Sequence, residues 1–152
     1  MYTVFTNNNA VAEFFKQKPE LNCTVKWVNA PAMEVLVAAR VNIRKGAALI
    51  SNPLVGINLP VVQAPGRNLR SPAPKQTIVN PYLTVLTTMP NDTVDFQSVK
   101  QVDEALSLYK KNAKLRFVAH SDDAVQHFQM VDIKCMLQRL SELLKIEFGL
   151  FQ

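Results

Sequence analysis

The chain has 152 residues, 48% of them hydrophobic and 19% charged, which suits one packed domain and excludes both a disordered chain and a scaffold that needs staples. Its formal charge is +5, but the 17 basic residues do not form runs and aromatics make up only 8%, which argues against a continuous nucleic-acid-binding face. Two cysteines without CxxC spacing, Cys23 and Cys135, exclude a disulfide framework and read as reduced, buried thiols.

Tyr2 to Phe5 is a short β-prone run that stops at Thr6-Asn7-Asn8-Asn9, residues that favour turns and helix caps. Val11, Phe14 and Phe15 follow at helical spacing, with Glu13, Lys16 and Lys18 elsewhere on the wheel, and Pro19 closes this helix. CTVKWV, from Cys23 to Val28, alternates across a pleat with one face partly polar, the pattern of a strand near a sheet edge. Asn29 is placed to cap the next helix, Pro31 falls in its first turn, and Met33, Leu36, Val37, Val41 and Ile43 supply its apolar stripe. Arg44 and Lys45 followed by Gly46 have the form of a helix C-terminus, with cations near the last carbonyls and then a residue free to enter the left-handed region. ALIS, ending at Ser51, reads as a third strand.

Strand, helix, strand, helix, strand over the first fifty residues is the pattern of βαβ units on a parallel sheet. Right-handed crossovers would then bring Asn7 to Asn9 and Ser51 to Gly56 to the same sheet edge, where open α/β sheets gather ligands. Further on, Thr77 to Met89 is β-rich with an interruption at Asn80-Pro81, and Pro90-Asn91-Asp92 ends it in a turn. A helix capped by Thr93 or Asp95 carries Val99, Val102, Leu106 and Tyr109 on one face. Lys114 to His120 fits either a short strand or a linker. Ser121-Asp122-Asp123 then starts a helical segment whose apolar face runs from Phe128 through Ile133, Met136, Leu137 and Leu140 to Leu144, with Asp132 as a second cap where the helix restarts. That face can serve as core or as a homo-oligomer interface. The expected fold is one α/β domain over residues 1–152, Rossmann-like in three layers, with a small, mainly parallel sheet flanked by helices and a helical C-terminus covering one face.

No acidic residue occurs from Val35 to Asn91, while Arg40, Arg44, Lys45, Arg67, Arg70 and Lys75 lie within that span. A long Pro/Gly-rich loop of this charge is a candidate binding site for a small anion, carboxylate or phosphate. Asn7, Asn8, Ser51 and Asn52 would supply amides and hydroxyls, Pro53 and Gly56 the turn, and Arg67 and Arg70 the forked donors. A plain structural reading, Asx-turns and solvated arginines, is the stronger of the two. Four glycines form neither GxGxxG nor a phosphate-binding GxxxxGK[ST], and GxSxG is absent. Asp123 and His127 stand at i and i+4 without a third ligand nearby, so no metal, cofactor or catalytic residue is assigned. MYTVFTNNN lacks the features of a signal peptide and no window reaches the ~20 apolar residues of a membrane span, so the chain is expected in the cytoplasm and off the membrane.

YTVFTNN at the start, RKGAALISNPLVG, a β-rich TIV after a proline-rich loop, and FQMVDIKCML near the C-terminus together resemble the GrdX family, small proteins associated with glycine, sarcosine and betaine reductase. The resemblance picks out Thr6, Asn7 and Asn8, then Gly46, Pro53, Leu54 and Gly56, then Phe128, Gln129 and Asp132. Where the family motif has His before Pro-Leu and small hydroxyl residues around the glycine, this chain has Asn52, Val55 and Ile57, so histidine-dependent chemistry is not expected and the chain reads as a divergent member. What the resemblance implies is a non-catalytic accessory or regulatory protein whose partners are reductase subunits. The alternative from another class is a small-metabolite-binding domain, or an enzyme, with its site at the C-terminal edge of the sheet.

Overall fold

The computed structural model describes residues 1–53, 80–111 and 122–145. Its elements run β1 (Tyr2–Thr6), α1 (Asn9–Lys16), a 3-10 turn (Pro19–Leu21), β2 (Cys23–Trp27), α2 (Ala32–Arg44), β3 (Thr84–Thr88), α3 (Phe96–Lys111) and α4 (Asp122–Leu144). Among the described residues the sheet has the order β2-β1-β3, with β1 parallel to β2 and antiparallel to β3. This mixed sheet corrects the mainly parallel, Rossmann-like expectation. The ALIS segment does not lie beside β1. It forms a single antiparallel bridge, Leu49 to Thr87, on the outer side of β3.

Burial explains which segment takes the inner place. Val85 and Leu86 face opposite ways and are fully buried, and Thr84 and Thr87 are buried as well, so β3 is buried on both faces; Leu49 and Ile50 are only half-buried, as suits an edge. β2 is the opposite edge, with Thr24, Lys26 and Trp27 exposed.

The pleat of β1 sorts the core into two clusters. Val4 pairs with Leu86 and, with Val11, Phe14, Phe15, Ile133, Leu137 and Leu140, forms the cluster beneath α1 and α4. Phe5 pairs with Val85 and packs with Val35, Leu36, Ile43, Val102 and Leu106 beneath α2 and α3. Each fully buried aliphatic side chain of this kind contributes about 1.5–3 kcal/mol relative to exposure. The two last helices therefore cover opposite faces of the sheet, and the C-terminal helix α4 covers one of them. Helices lie on both sides of the sheet, as a small α/β domain requires.

Helix ends follow local chemistry in most places. Asn8 caps α1, its side-chain oxygen accepting from the Ala10 N–H at 3.0 Å. At the end of α2 the Ala47 N–H donates to the Asn42 carbonyl at 3.1 Å and the Gly46 N–H to the Ile43 carbonyl at 3.0 Å, the bond pair of a Schellman ending, with Gly46 at φ +107°. Asp95 stands immediately before α3, and its carboxylate accepts from Ser98 Oγ at 2.7 Å while that oxygen accepts from the Leu49 N–H at 2.8 Å. Two expectations fail here. Pro31, not Asn29, occupies the cap position of α2, with no side-chain bond, and Val41 is 52% exposed because the buried stripe runs through Val35, Leu36, Ala39 and Ile43. In addition α4 is continuous through Asp132, which is therefore no second cap. The TIV run at 77–79, the ambiguous segment at 114–120 and Ser121 lie outside the described residues.

Candidate functional site

β1 ends among polar side chains whose bonds cross from one layer of the fold to another. Asn7 donates from Nδ2 to the carbonyls of Ala30 and Pro81, both at 3.0 Å, and its Oδ1 accepts from the Leu83 N–H at 2.9 Å. This fastens the β2–α2 connection to the segment that enters β3. Asn8 is fully buried, and its Nδ2 donates to the Gln129 carbonyl and to Asp132 Oδ2, each at 3.0 Å. Asn80, also buried, donates to the Phe128 carbonyl at 3.0 Å and accepts from the Tyr82 N–H at 2.9 Å. Both asparagines thus dock α4 through its backbone and have their own polar atoms consumed.

Asp132 is the centre of this network. Thr84 Oγ1 lies 2.7 Å from its Oδ2 and 2.9 Å from Thr6 Oγ1, and Thr6 Oγ1 accepts from the Asn8 N–H at 3.0 Å. A hydroxyl has one proton to give, so with Asp132 ionised the direction of the chain is fixed: Asn8 N–H to Thr6, Thr6 to Thr84, Thr84 to Asp132. Burial raises the Asp132 carboxyl above its ordinary range, while hydrogen bonds from Asn8 and Thr84 act in the opposite sense and are outweighed. The neighbouring thiol of Cys135 is pushed up by burial and then by the charge of Asp132; burial raises Cys23 as well, and both thiols are free and half-buried. On α3 the buried Tyr109 hydroxyl, which has no hydrogen-bond partner among the described residues, is also raised, by burial first and then by Asp132.

The folded chain holds the Asp132 proton more tightly than the unfolded chain does. Its contribution to stability is therefore fully present below the ordinary aspartate value of about 3.9 and is lost as pH rises from there through the raised folded value. Asp132→Asn keeps an acceptor for Thr84 and Asn8 but cannot ionise, so the variant should gain on the wild type as pH rises from 4 to 8 in urea titrations at each pH. Parallel curves for the two proteins would contradict the placement of a buried, titrating carboxyl here.

A cavity of about 200 Å³ opens beside Asp132, where the chain after Ser51 leaves the edge of β3. Ser51, Asn52, Asn80 and Thr84 line one part, Asp132, Cys135 and Met136 another, and Arg139 and Glu142 also border it. Ser51 Oγ accepts from the Leu86 N–H at 2.9 Å, which places the hydroxyl at this edge. Arg139 donates from Nε to the Ile50 carbonyl at 3.0 Å and from a terminal nitrogen to Glu142 at 3.2 Å, and it also borders a broader hollow of about 620 Å³ that includes Pro53, Gln101 and Glu104. Asn7 lies apart, in a shallow hollow with Pro31, Pro81 and Tyr82.

Of the residues singled out from sequence, Ser51 and Asn52 meet at the cavity, Pro53 lines the hollow next to it, and Asn7 and Asn8 hold the surrounding segments in place. Gly56, Arg67 and Arg70 lie outside the described residues. The acids missing from the basic span arrive from elsewhere in the fold: Asp103 of α3 stands 3.7 Å from Arg40, and α4 brings Asp132 and Glu142 to the cavity. A visible signal marked Asp132 in the sequence, since it lies four residues from Phe128 and four from Met136 and so within the apolar stripe of α4. A carboxyl at core spacing needs partners, and Asn8 and Thr84 are those partners.

The arrangement is that of a small α/β domain whose mixed sheet ends in a buried polar network beside a cavity. Residues 3–69 match the family model described as GrdX-like protein. The match spans β1 through α2, the Gly46 ending and the arm that carries Ser51 to Pro53; FQMVDIKCML falls beyond it. No curated protein and no solved structure matches the chain. Among the described residues, no helix is long and apolar enough to cross a membrane and no group of three metal-ligating side chains converges.

Proposed function

We propose that this chain is a non-catalytic accessory or regulatory protein of amino-acid reductase systems, those acting on glycine, sarcosine or betaine, and that it works in the cytoplasm. The observation that carries this reading is the GrdX-like match over residues 3–69. The chemistry of the thiols agrees with it, since burial disfavours the thiolate that a nucleophilic cysteine needs. The test is capture of purified reductase subunits by the immobilised protein, followed by assay of reductase turnover with and without it. Retention of at least one subunit together with a change in turnover is expected. A protein that retains none and leaves turnover unchanged would overturn the reading.

A second reading is favoured by the cavity at the edge of β3. A hollow that combines apolar walls with a few fixed polar groups is the general form of a small-molecule site. In this reading the protein binds a metabolite, with Ser51 and Asn52 at the ligand.

A further inference from the structure

Asp132 is 8% exposed, accepts hydrogen bonds from the neutral side chains of Thr84 and Asn8 and from the Thr84 backbone, and forms no ion pair among the described residues. Of the two cations on the same helix, Lys134 is exposed and two residues on, so it projects from a different face, and Arg139 stands seven residues further along, about 10 Å of helical rise away. It is engaged by the Ile50 carbonyl and Glu142. A buried carboxylate without a counter-charge is costly, and two events relieve it: uptake of a proton or arrival of a cation. Asp132 lines the cavity, so a cation has a route to it. Around that carboxyl the walls are largely apolar, with Leu83, Val131 and Met136 contributing and Tyr82 offering an aromatic ring.

We propose that this cavity binds a small organic cation, an ammonium group on a short apolar body, with the ammonium paired to the Asp132 carboxylate. The proposal rests on the second reading above, that the cavity is a ligand site, and adds the charge and size of the ligand. Size follows from volume: a dry cavity of ~150 Å³ holds benzene, so the one beside Asp132 takes on the order of eight non-hydrogen atoms. Charge follows from the titratable groups that border the cavity. From α4 these are Asp132, Cys135, Glu142 and Arg139, and from the segment before β3 Tyr82. Tyr109 on α3 senses Asp132 electrostatically but is not in the lining. Two carboxyl groups, Asp132 and Glu142, share this border with one guanidinium, that of Arg139, which is already bonded to Glu142. The described part of the basic span contributes no basic side chain to this lining, only Ser51, Asn52, Asn80, Tyr82, Leu83 and Thr84. Among the described residues an anion would therefore meet Asp132 without a compensating cation, whereas an ammonium ion satisfies it.

Three probes of one shape and different charge test this: n-butylammonium, n-butanol and butyrate, titrated at pH 5 and pH 8 while the backbone amide signals of Asn52, Leu83 and Cys135 are followed by NMR. Butylammonium should move these signals saturably, bind at least tenfold more tightly than butanol at pH 8, and lose that advantage progressively in acid, because burial favours the protonated form of Asp132. In Asp132→Asn, whose spectrum also reports that it is folded, amine and alcohol should bind alike. The wild-type comparison stands by itself if the variant does not fold. Equal binding of amine and alcohol by the wild type would overturn the cation assignment and leave the cavity as a neutral-ligand site, and tightest binding of butyrate would overturn it in favour of an anion. No shift with any probe would overturn the cavity as a ligand site altogether.

Discussion

Replacing Gly46 by alanine is expected to destabilise the fold by about 3 kcal/mol, which for a domain of this size lowers the melting temperature by about 6–12 °C. Two costs combine. Gly46 sits at φ +107°, a conformation that a residue with a Cβ adopts only under strain. A Cβ built there would also lie 1.9 Å from the carbonyl oxygen of Asn91 and 2.9 Å from its carbon, backbone atoms that cannot swing aside as a flexible side chain can. The Asn91 N–H donates to the Gly46 carbonyl at 3.3 Å, so the end of α2 and the turn leading to α3 must separate or unwind together. Thermal and urea denaturation of Gly46→Ala measures this directly. A melting temperature within about 2 °C of wild type would show that the turn at Asn91 yields freely, against the close approach described here.

Asn8→Asp should be comparably severe at neutral pH, about 3–5 kcal/mol, and should recover in acid. The substitution preserves shape and keeps an oxygen for the Ala10 N–H, so the cap of α1 survives. What it removes is the amide donor that lies 3.0 Å from the Gln129 carbonyl and 3.0 Å from Asp132 Oδ2. A second carboxylate then faces the first across hydrogen-bond distance in a buried site, and both cannot ionise without large repulsion. One proton shared by the pair relieves it. The folded pair binds that proton more tightly than two unfolded aspartates do, so the variant is most stable below about pH 4 and weakens as pH rises through the raised value of the pair. Asn8→Ala is the control: it loses the cap and two hydrogen bonds without adding a charge. Urea titrations at pH 4.5 and pH 8 should show Asn8→Asp losing more stability between the two than Asn8→Ala does. If Asn8→Asp shows no more pH dependence than Asn8→Ala, Asp132 does not stand against residue 8 as described.

These two positions differ in how they could be read beforehand. Gly46 announces itself locally, because basic residues before a glycine at the end of an apolar stripe describe a helix ending whatever the rest of the chain does. Its contact with Asn91 is invisible in sequence, since it joins segments 45 residues apart by backbone atoms alone. Asn8 likewise belongs to a turn on local grounds and caps α1 as such a residue should, but its amide hydrogens meet α4 more than 120 residues later. Asp132 was open to misreading as a helix start because acids favour that position. Only the docking of α4 onto Asn8 and Thr84 makes it the buried end of a hydrogen-bond chain. The anion expectation drew on a charge count along the chain, and α3 and α4 supply the missing acids in space.

Sequence alone determined that this is an α/β chain with helices at α1, α2 and α3, an edge-like second strand and a glycine ending at position 46, because helix period, strand alternation and capping act within a few residues. Tertiary structure decided the antiparallel entry of β3 between β1 and the ALIS segment, the rotation of α2 that leaves Val41 in solvent, the split of α3 and α4 between two faces, and the meeting of Asp132 with the edge of β3. A period of two residues records which side chains share a face of a strand and carries nothing about strand direction or neighbour. Those are set by which faces cover one another in the folded chain, where β3, buried on both sides, takes the inner position and leaves the half-buried ALIS segment at the rim beside the cavity.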